Sequence, residues 1–407
     1  MPIDHLDPNE GTALMDVRIP EIPASYDAYR DELRAFIAKH VPTLEMKPRS
    51  GLRVPDTAKD VEAQRNFVRA LHDAGYRQDK FQAHDGDPFE QRILQQALST
   101  VPEAAMGNPL VAGALKLFGT DDQKAKYLPP ISRGDHIWSQ LFSEPNAGSD
   151  LSNLKTRADL DGDVYVVNGQ KVWSTWAQWS DYGYLLARTE PTPGPAGITA
   201  FVLDMKLPGV DVRPLREITG TTDFNEVFLT DVRVPVTDVI GQPGNGWKVT
   251  NMSLAMERSG IGGGGGAAVV GELIDAARLH KRRGRPAIEA DDVRQGLARL
   301  AARSRIHRAI GHKIATRAAK GKLSMTDAPI GKIWFGELNL AMCEFALRLQ
   351  GPRSALTEGD PAAYLDGVWQ DRFLYARAWT IAGGSNEIMR NMIAERGLGL
   401  PKEPRGS

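Results

Sequence analysis

The spacing of apolar and polar residues changes twice along the 407-residue chain. Up to residue 135, apolar residues recur at the three- and four-residue spacing of amphipathic helices. Residues 136–240 show short runs rich in β-branched and aromatic residues, and helical spacing returns over 241–407. The pattern predicts a mostly helical α+β protein with a helical domain at 1–135, an antiparallel β domain at 136–240 and a helical domain at 241–407.

Capping signals predict where the first helices begin and end. Ser25 is the predicted N-cap of the first helix, and a second helix is expected from about Thr57 to Ala74, with Gly75 at its C′ position. The stretch Thr120–Gln123 has the spacing of a capping box. It predicts a short helix that Pro129-Pro130 stops.

The central region carries turn signals between its apolar runs. Asp161-Gly162 and Asn168-Gly169 are dipeptides typical of tight hairpins, so each is expected to connect two antiparallel strands. The run His136–Phe142 leads into the decapeptide Leu141–Asp150 and predicts a buried strand that stops at Pro145. Such a strand end presents backbone N–H groups and hydroxyls that suit carbonyl or phosphate oxygens. The alternative is an ordinary hairpin with common turn residues.

Five glycines at Gly262–Gly266 interrupt the first helical pattern of the C-terminal domain. Each glycine costs a helix roughly 1 kcal/mol relative to alanine, so a loop between two helices is one interpretation. The other interpretation is that the missing side chains leave room beside a bulky acyl group. The sequence leaves both open.

Composition and charge narrow the class of protein. The chain is 42% hydrophobic and 25% charged, which is typical of a globular protein. Its 50 basic and 51 acidic residues give a formal net charge of -1, so bulk charge predicts no nucleic-acid partner. The single cysteine, Cys343, fits a reducing compartment. We find no signal peptide and no apolar run of bilayer length, and we expect a cytoplasmic protein with no membrane partner and no metal site.

Five sequence blocks, in order, resemble those of the acyl-CoA dehydrogenases. The first, Ser143–Asp150, is similar to the family signature Thr-Glu-Pro-x-Ala-Gly-Ser-Asp. The others are Asn168–Thr175, Phe224–Phe228 with Val232–Pro235, Glu257-Arg258 and Gly383–Arg390. Because the blocks span most of the chain, their combination is far more specific than any one of them.

The resemblance implies a fold and a reaction. Members have an N-terminal helical domain, a central β barrel or sandwich and a C-terminal four-helix bundle. They use FAD to dehydrogenate an acyl-CoA thioester to the 2-enoyl-CoA: a carboxylate takes the α-proton, and the β-hydrogen leaves as hydride to flavin N5. The resemblance also implies electron-transfer flavoprotein as the acceptor and a homodimer or homotetramer, with a heterotetramer as the alternative.

The resemblance points to Glu257 as the catalytic base. Many members carry a glutamate directly before the Gly-Thr of the C-terminal block, where this chain has Gly383. Members of the isovaleryl-CoA and long-chain types place the glutamate on a helix before an arginine, which Glu257-Arg258 matches. Arg258 is then expected near the substrate, and the N–H of Gly383 is expected to donate to the thioester carbonyl. A surface glutamate paired with Arg258 is the alternative.

The resemblance also implies cofactor contacts. Trp173 is expected to form an aromatic wall beside the flavin, although a lone tryptophan would more often belong to the β core. Ser149, with Gly148, is expected near the pyrophosphate or the CoA arm, which makes Ser149 a substrate contact as well. The full set of implied cofactor-binding residues is Gln140, Phe142, Ser143, Gly148, Ser149, Trp173, Ser174, Thr175, Gln295, Gly351, Ser385, Asn386 and Glu387.

Three stretches depart from the family pattern. The bundle motif Arg-x-x-Phe-Gly, whose arginine meets the flavin pyrophosphate, becomes His280–Gly284, and the Gly-Gly after the fourth bundle helix becomes Gly351-Pro352. A Pro-x-x-x-Gly-Gly loop is replaced by His84–Pro88. The first two changes resemble members that act on steroid side chains and other bulky acyl-CoAs. The alternatives are a non-catalytic or cofactor-sharing subunit of a hetero-oligomer, or a flavin monooxygenase on the same scaffold.

Overall fold

The computed structural model describes residues 22–41, 54–76, 87–98, 101, 109–260, 266–319, 322 and 324–402. It divides into two compact units, each discontinuous in sequence. The described parts of the first unit are 22–27, 258–354 and 378–402, and those of the second are 28–257 and 355–377. The loop at His84 and the glycines at 262–265 lie outside the described residues, and Gly266 begins a helix.

The N-terminal region is helical. Thr57 caps its second helix by accepting a hydrogen bond from the N–H of Asp60 at 3.2 Å, and Gly75 follows that helix with φ 78°, so both predictions are confirmed. The prediction for Ser25 is wrong. Residues 24–26 are already helical, because the N–H of Tyr26 donates to the carbonyl of Pro23 at 3.0 Å, and Ser25 therefore forms no cap. The helices are α1 (Asp27–His40), α2 (Ala58–Asp73), α3 (Pro88–Leu98), α4 (Pro109–Phe118) and α5 (Asp121–Arg133).

Helix α5 begins as predicted but ends later. The capping box is present: the Thr120 hydroxyl accepts from the N–H of Gln123, and the Gln123 side chain accepts from the N–H of Thr120. The expected stop at Pro129-Pro130 is wrong, because proline removes a hydrogen bond but its fixed φ is compatible with a helix. The helix ends at Gly134, whose φ of 75° allows the N–H of Asp135 to bond back to the carbonyl of Pro130 at 2.8 Å.

The central region forms one eight-stranded sheet in the order β6-β7-β3-β2-β4-β5-β8, with β1 paired to β4. This path has two different end strands, so the described sheet is open rather than a closed barrel. Pairing is mostly antiparallel, but β1 runs parallel to β4. The strands are β1 (Trp138–Leu141), β2 (Arg157–Asp161), β3 (Val164–Lys171), β4 (Tyr182–Arg188), β5 (Ile198–Asp204), β6 (Val210–Leu215), β7 (Phe224–Pro235) and β8 (Val239–Ile240).

The two predicted hairpin dipeptides have different outcomes. Asp161-Gly162 begins the tight turn between β2 and β3, as expected. Asn168-Gly169 forms no turn: it lies inside β3, where the register with β7 shifts. The Asn168 side chain exchanges two hydrogen bonds with Asp231, and a Cβ on Gly169 would lie 2.4 Å from the hydroxyl of Thr156. The dipeptide therefore makes a bulge that only glycine fits.

Both faces of the central strand β4 are buried. On β4, Tyr184 and Leu186 belong to an apolar cluster shared with α4 and α5, whereas Leu185 and Ala187 belong to a second cluster with residues of β3, β5 and β7. Alternate residues of one strand thus face opposite layers, as the two-residue period of a strand requires.

Helices follow the sheet: α6 (Gly246–Gly260), α7 (Gly266–Leu279), α8 (Asp291–Ala319), α9 (Asp327–Gln350), α10 (Val368–Tyr375), α11 (Ala378–Ile381) and α12 (Asn386–Met392). A short hairpin of β9 (Lys281–Arg282) and β10 (Arg285–Pro286) lies between α7 and α8. The expected fold class, helical regions on either side of a central β region, is confirmed. Among the described residues, no helix is both long and apolar enough to cross a bilayer.

Candidate functional site

The first two sequence blocks lie side by side in the second unit. The N–H of Val172, just after β3, donates to the carbonyl of Ser143 at 2.9 Å, and the ammonium of Lys171 donates to the carbonyl of Phe142 at 3.1 Å. Ser143 follows the end of β1, so the two hydrogen bonds join the ends of β1 and β3.

A buried ion pair connects these two strand ends. The Nζ of Lys171 lies 2.8 Å from Oε1 of Glu144, and both side chains are buried. The Glu144 carboxylate also accepts from the N–H groups of Lys155 at 2.6 Å and Thr156 at 2.8 Å. Our sequence reasoning missed this pair. The available signal was a lysine next to Val172 at the end of an apolar strand, because an isolated buried lysine requires a partner.

Burial and the ion pair together set the pKa of both groups. Burial alone would raise the pKa of Glu144, but the Lys171 ammonium and the N–H donors outweigh burial and hold that pKa below its ordinary value. Burial lowers the pKa of Lys171 to about 8, against the opposing effect of Glu144. Both groups are therefore charged at neutral pH.

The turn after β3 presents an exposed aromatic ring. Trp173 is 61% exposed and stands edge-on to Phe224, with ring centroids 5.9 Å apart, so it is not a core residue. Trp176, three residues later, is only 8% exposed. Both have left-handed backbones, with φ of 59° and 65°. Such a conformation costs a side-chain-bearing residue about 1–3 kcal/mol, and it is most common at functional sites.

Ser174 lies between the two tryptophans and is fully buried. Its N–H donates to the carbonyl of Asn225 at 3.1 Å, and the Asn225 side-chain amide donates back to the carbonyl of Ser174 at 2.9 Å. The next carbonyl, that of Thr175, accepts from the Ser139 hydroxyl at 2.8 Å. The turn is therefore held from β1 and from β7.

The residues around the end of β1 differ in what they can offer a ligand. Phe142 is buried against Tyr184, at 4.9 Å between ring centroids, so any contact with a cofactor would come from its main chain. Gln140 and Ser143 are partly exposed, and Gly148 and Ser149 are exposed. Glu144 and Ala147 exchange two 3.1 Å main-chain hydrogen bonds, which close the turn that precedes Gly148 and Ser149.

The donor set at this edge fits a flat ring system with a polar edge, such as that of FAD. The Ser143 and Thr175 hydroxyls have no hydrogen-bond partner in the part of the chain that the structure describes, and both residues are partly exposed. The exposed ring of Trp173 belongs to the same turn as Thr175. An aromatic surface with adjacent hydroxyl donors is the chemistry that such a cofactor requires.

Helix α6 carries Glu257 in its last turn. The side chains of Glu257 and Arg258 lie outside the described part. Earlier in the helix, Val249 is buried, and the Ser253 hydroxyl lies 3.1 Å from the hydroxyl of Tyr184 on β4. Because β1 pairs directly with β4, this contact anchors the helix to the strand next to β1.

The C-terminal block lies in the first unit. Ser385 caps α12 by accepting from the N–H of Ile388 at 3.3 Å. Asn386 is buried and accepts from the fully buried ammonium of Lys332 at 2.9 Å, so its side-chain oxygen already has a protein partner. Glu387 is exposed, and main-chain and Ser385 hydrogen bonds hold its pKa below the ordinary value. Gly383 has φ 66°.

Other predicted contacts are spread over the same unit. Gln295 is exposed on α8, and Gly351 is exposed at the end of α9 with φ 57°. The stretch His280–Gly284 enters the β9-β10 hairpin, where Arg282 donates to Asp292 at 2.6 Å.

Comparisons with known proteins agree with this layout. Three sequence models match in order: the acyl-CoA dehydrogenase N-terminal domain at 23–135, middle domain at 139–232 and C-terminal domain at 244–398. The chain is 38% identical to acyl-CoA dehydrogenase IpdE1 of Mycobacterium tuberculosis over 304 residues, which cover 74% of this chain and 76% of that protein.

Solved structures are similar over nearly the whole chain. A steroid ACAD, Tcur3481-Tcur3483, aligns with a TM-score of 0.79 at 28% identity, over 94% of this chain and 99% of that one. The ChsE4-ChsE5 complex of Mycobacterium tuberculosis aligns with a TM-score of 0.75 at 26% identity, over 93% of this chain and 98% of that one.

Proposed function

The chain belongs to the acyl-CoA dehydrogenase family, and from this we propose that it converts an acyl-CoA thioester to the 2-enoyl-CoA with Glu257 as the base. Membership makes the protein an FAD-dependent oxidoreductase that acts on acyl-CoA. The observation that carries the assignment of the base is the pair of positions 257 and 383. The first holds a glutamate in the last turn of α6, and the second holds a glycine with φ 66° where many other members have their base.

The backbone at 383 supports this choice. A φ of 66° is easy for glycine and strained for a residue with a side chain, so this position is poorly suited to hold a glutamate in a defined orientation. Position 257 has a helical backbone, and the helix is anchored by buried residues one and two turns earlier.

The proposed chemistry needs a base for the α-proton and donors for the thioester oxygen. The Glu257 carboxylate accepts the α-proton, and hydrogen-bond donors, among them the N–H of Gly383, stabilise the negative charge that develops on the thioester oxygen. Arg258 is proposed as a cation near the substrate. When bound, FAD supplies the acceptor for the β-hydrogen.

The proposed cofactor contacts follow the geometry of each unit. In the second unit, Trp173 provides the aromatic surface, and Ser143 and Thr175 provide hydroxyl donors. Gln140, Phe142, Ser174, Gly148 and Ser149 complete that set, Ser149 also for the CoA arm. In the first unit the proposed contacts are Gln295, Gly351, Ser385, Asn386 and Glu387.

We propose a bulky, steroid-sized acyl group as the substrate class. The support is the matched structure named as a steroid ACAD, together with the sequence changes at His280–Gly284 and Gly351-Pro352. Electron-transfer flavoprotein is the proposed electron acceptor, and the cytoplasm is the proposed location. The division into domains at 1–135, 136–240 and 241–407 also stays a proposal.

A cofactor-sharing subunit of a hetero-oligomer is the second candidate function. Two matched structures are named for two-component assemblies. Arg282, in the stretch that replaces the family's pyrophosphate motif, is paired with Asp292. Flavin absorbance of the protein purified alone, and again after co-expression with a candidate partner, separates this arrangement from a homo-oligomer. Flavin bound in full by the chain alone would contradict cofactor sharing.

Anaerobic titration with a panel of acyl-CoAs tests Glu257. Glu257→Gln should bind FAD, but an acyl-CoA should bleach its visible absorbance roughly a hundredfold to ten-thousandfold more slowly, because the variant has no base. Glu62→Gln, which changes an exposed glutamate on helix α2 of the same unit, is the matched control and should react normally. Unchanged reduction in Glu257→Gln would remove that residue from the role, and oxygen consumption without an acceptor would favour a monooxygenase.

A further inference from the structure

The turn that carries Trp173 adopts a backbone that requires external support. Two aromatic residues with positive φ, Trp173 and Trp176, flank Ser174 and Thr175. In a free chain these two residues would adopt negative φ, since the left-handed conformation is unfavourable for bulky residues. Neighbouring residues must therefore hold the turn in place.

Asn225 holds the centre of the turn by both accepting a hydrogen bond from Ser174 and donating one to it. Its main-chain carbonyl accepts from the N–H of Ser174 at 3.1 Å, and its side-chain amide donates to the carbonyl of Ser174 at 2.9 Å. Asn225 and Ser174 are both fully buried. One residue thus fixes both peptide groups of Ser174, and with them the backbone on either side.

Two further contacts support the same arrangement. The Asn225 amide also donates to the side-chain oxygen of Gln178, whose own amide donates to the carbonyl of Thr222 at 3.0 Å. The N–H of Trp176 donates to the carbonyl of Asp223 at 3.4 Å. The whole turn therefore docks on the residues that lead into β7, and Asn225 is the member that contacts Ser174 directly.

We propose that Asn225 is a positioning residue for the flavin site: it holds Ser174 and thereby keeps Trp173 and Thr175 in the left-handed turn that presents them to the cofactor. This inference rests on the proposed function, because it assumes that Trp173 and Thr175 contact FAD. Nothing in the Asn225 side chain itself needs to touch the cofactor.

A matched control exists in the same sheet. Asn168 also forms a two-way clamp, since its amide donates to the Asp231 carboxylate at 3.0 Å and its oxygen accepts from the N–H of Asp231 at 2.9 Å. That clamp holds an exposed bulge of β3 rather than the turn. Asn168→Ala therefore removes two side-chain hydrogen bonds away from the proposed site. Asn225→Ala likewise removes two, those that its amide donates to Ser174 and Gln178.

The test is 19F NMR of the full-length protein labelled with 5-fluorotryptophan, which gives eight resonances, with Trp173 and Trp176 assigned by Phe substitution. In Asn225→Ala, these two resonances should shift or broaden while the other six stay, and FAD affinity measured by flavin absorbance should fall at least tenfold. Asn168→Ala should change neither. If all eight resonances move, Asn225→Leu, which is close in size to asparagine but has no donor for Ser174, is judged by the same criteria.

The two readouts separate the inference from the proposed function. Unmoved Trp173 and Trp176 resonances would overturn the positioning role of Asn225, whatever happens to FAD. Moved resonances with unchanged FAD affinity would support the clamp and overturn the contact of this turn with FAD. Loss of FAD affinity in Asn168→Ala as well would also overturn the inference.

Discussion

The ammonium of Lys171 lies 2.8 Å from the carboxylate of Glu144, and this buried pair joins the end of β3 to the turn after β1. Removing one partner leaves the other charge buried without compensation, which typically costs about 3–5 kcal/mol. The pair therefore holds two of the family's sequence blocks against each other.

We expect Glu144→Gln and Lys171→Met each to destabilise the protein by about 3–5 kcal/mol. The double variant should lose less than the sum, with a coupling of about 1–3 kcal/mol, because it leaves no unpaired charge. Urea unfolding followed by circular dichroism measures the cycle. Asp159→Asn is the control: it breaks the exposed pair with Arg157 on β2 and should cost less than about 1 kcal/mol. Additive losses in the cycle would contradict the coupling.

The same pair predicts acid sensitivity. Because the pKa of Glu144 is lower in the folded than in the unfolded protein, the ionised carboxylate stabilises the fold above the unfolded pKa of about 4.3. That contribution is lost as pH falls through the folded pKa. The stability gap between wild type and Glu144→Gln should thus be large near pH 7 and narrow below about pH 4. A gap that stays constant on acidification would exclude this assignment.

The two left-handed tryptophans should respond differently to the same substitution. Trp173→Gly removes an exposed ring and relieves strain, so stability should stay within about 1 kcal/mol of wild type. Trp176→Gly removes a buried ring and should cost about 3–5 kcal/mol. If the Trp173 ring contacts FAD, its loss should weaken FAD binding by roughly threefold to tenfold, from about 0.5–1.5 kcal/mol of aromatic contact. Unfolding curves and flavin titration measure both effects, and equal destabilisation would contradict this account.

Two helix caps separate a structural role from a cofactor role. Ser385→Ala and Thr120→Ala each remove a side-chain acceptor from a helix N-terminus and should each cost about 1 kcal/mol. Only Ser385→Ala should also weaken FAD binding, since Thr120 is not among the proposed contacts. Thermal unfolding and flavin titration of the two variants test this, and equal FAD affinity in both would remove Ser385 from the cofactor set.

Local patterns predicted much of the fold, and long-range contacts account for what they missed. The capping box at Thr120 needs only four consecutive residues, and it was correctly predicted. Asn168-Gly169 is a typical hairpin dipeptide, yet its conformation is set by Asp231, 63 residues further along the chain, and by Thr156. The same sequence signal therefore gave a bulge instead of a turn.

In the candidate site too, short motifs predicted some residues, and long-range contacts determine the others. Family blocks indicated Ser143, Trp173 and Thr175 from short motifs. The pairing of Lys171 with Glu144, 27 residues apart, depends on which strand ends become neighbours, and that information is not present in either motif. The role of Asn225 at Ser174, 51 residues away, was missed for the same reason.

The discontinuity of the second unit has a consequence for biosynthesis. Residues 28–257 are translated first, but the unit also contains residues 355–377, which supply the buried rings of Trp369 and Tyr375. A nascent chain that has emerged only as far as α9 therefore still lacks part of this interior. This unit must stay incomplete on the ribosome until residues 355–377 have also emerged, and termination before them would leave a species that chaperones and proteases can engage.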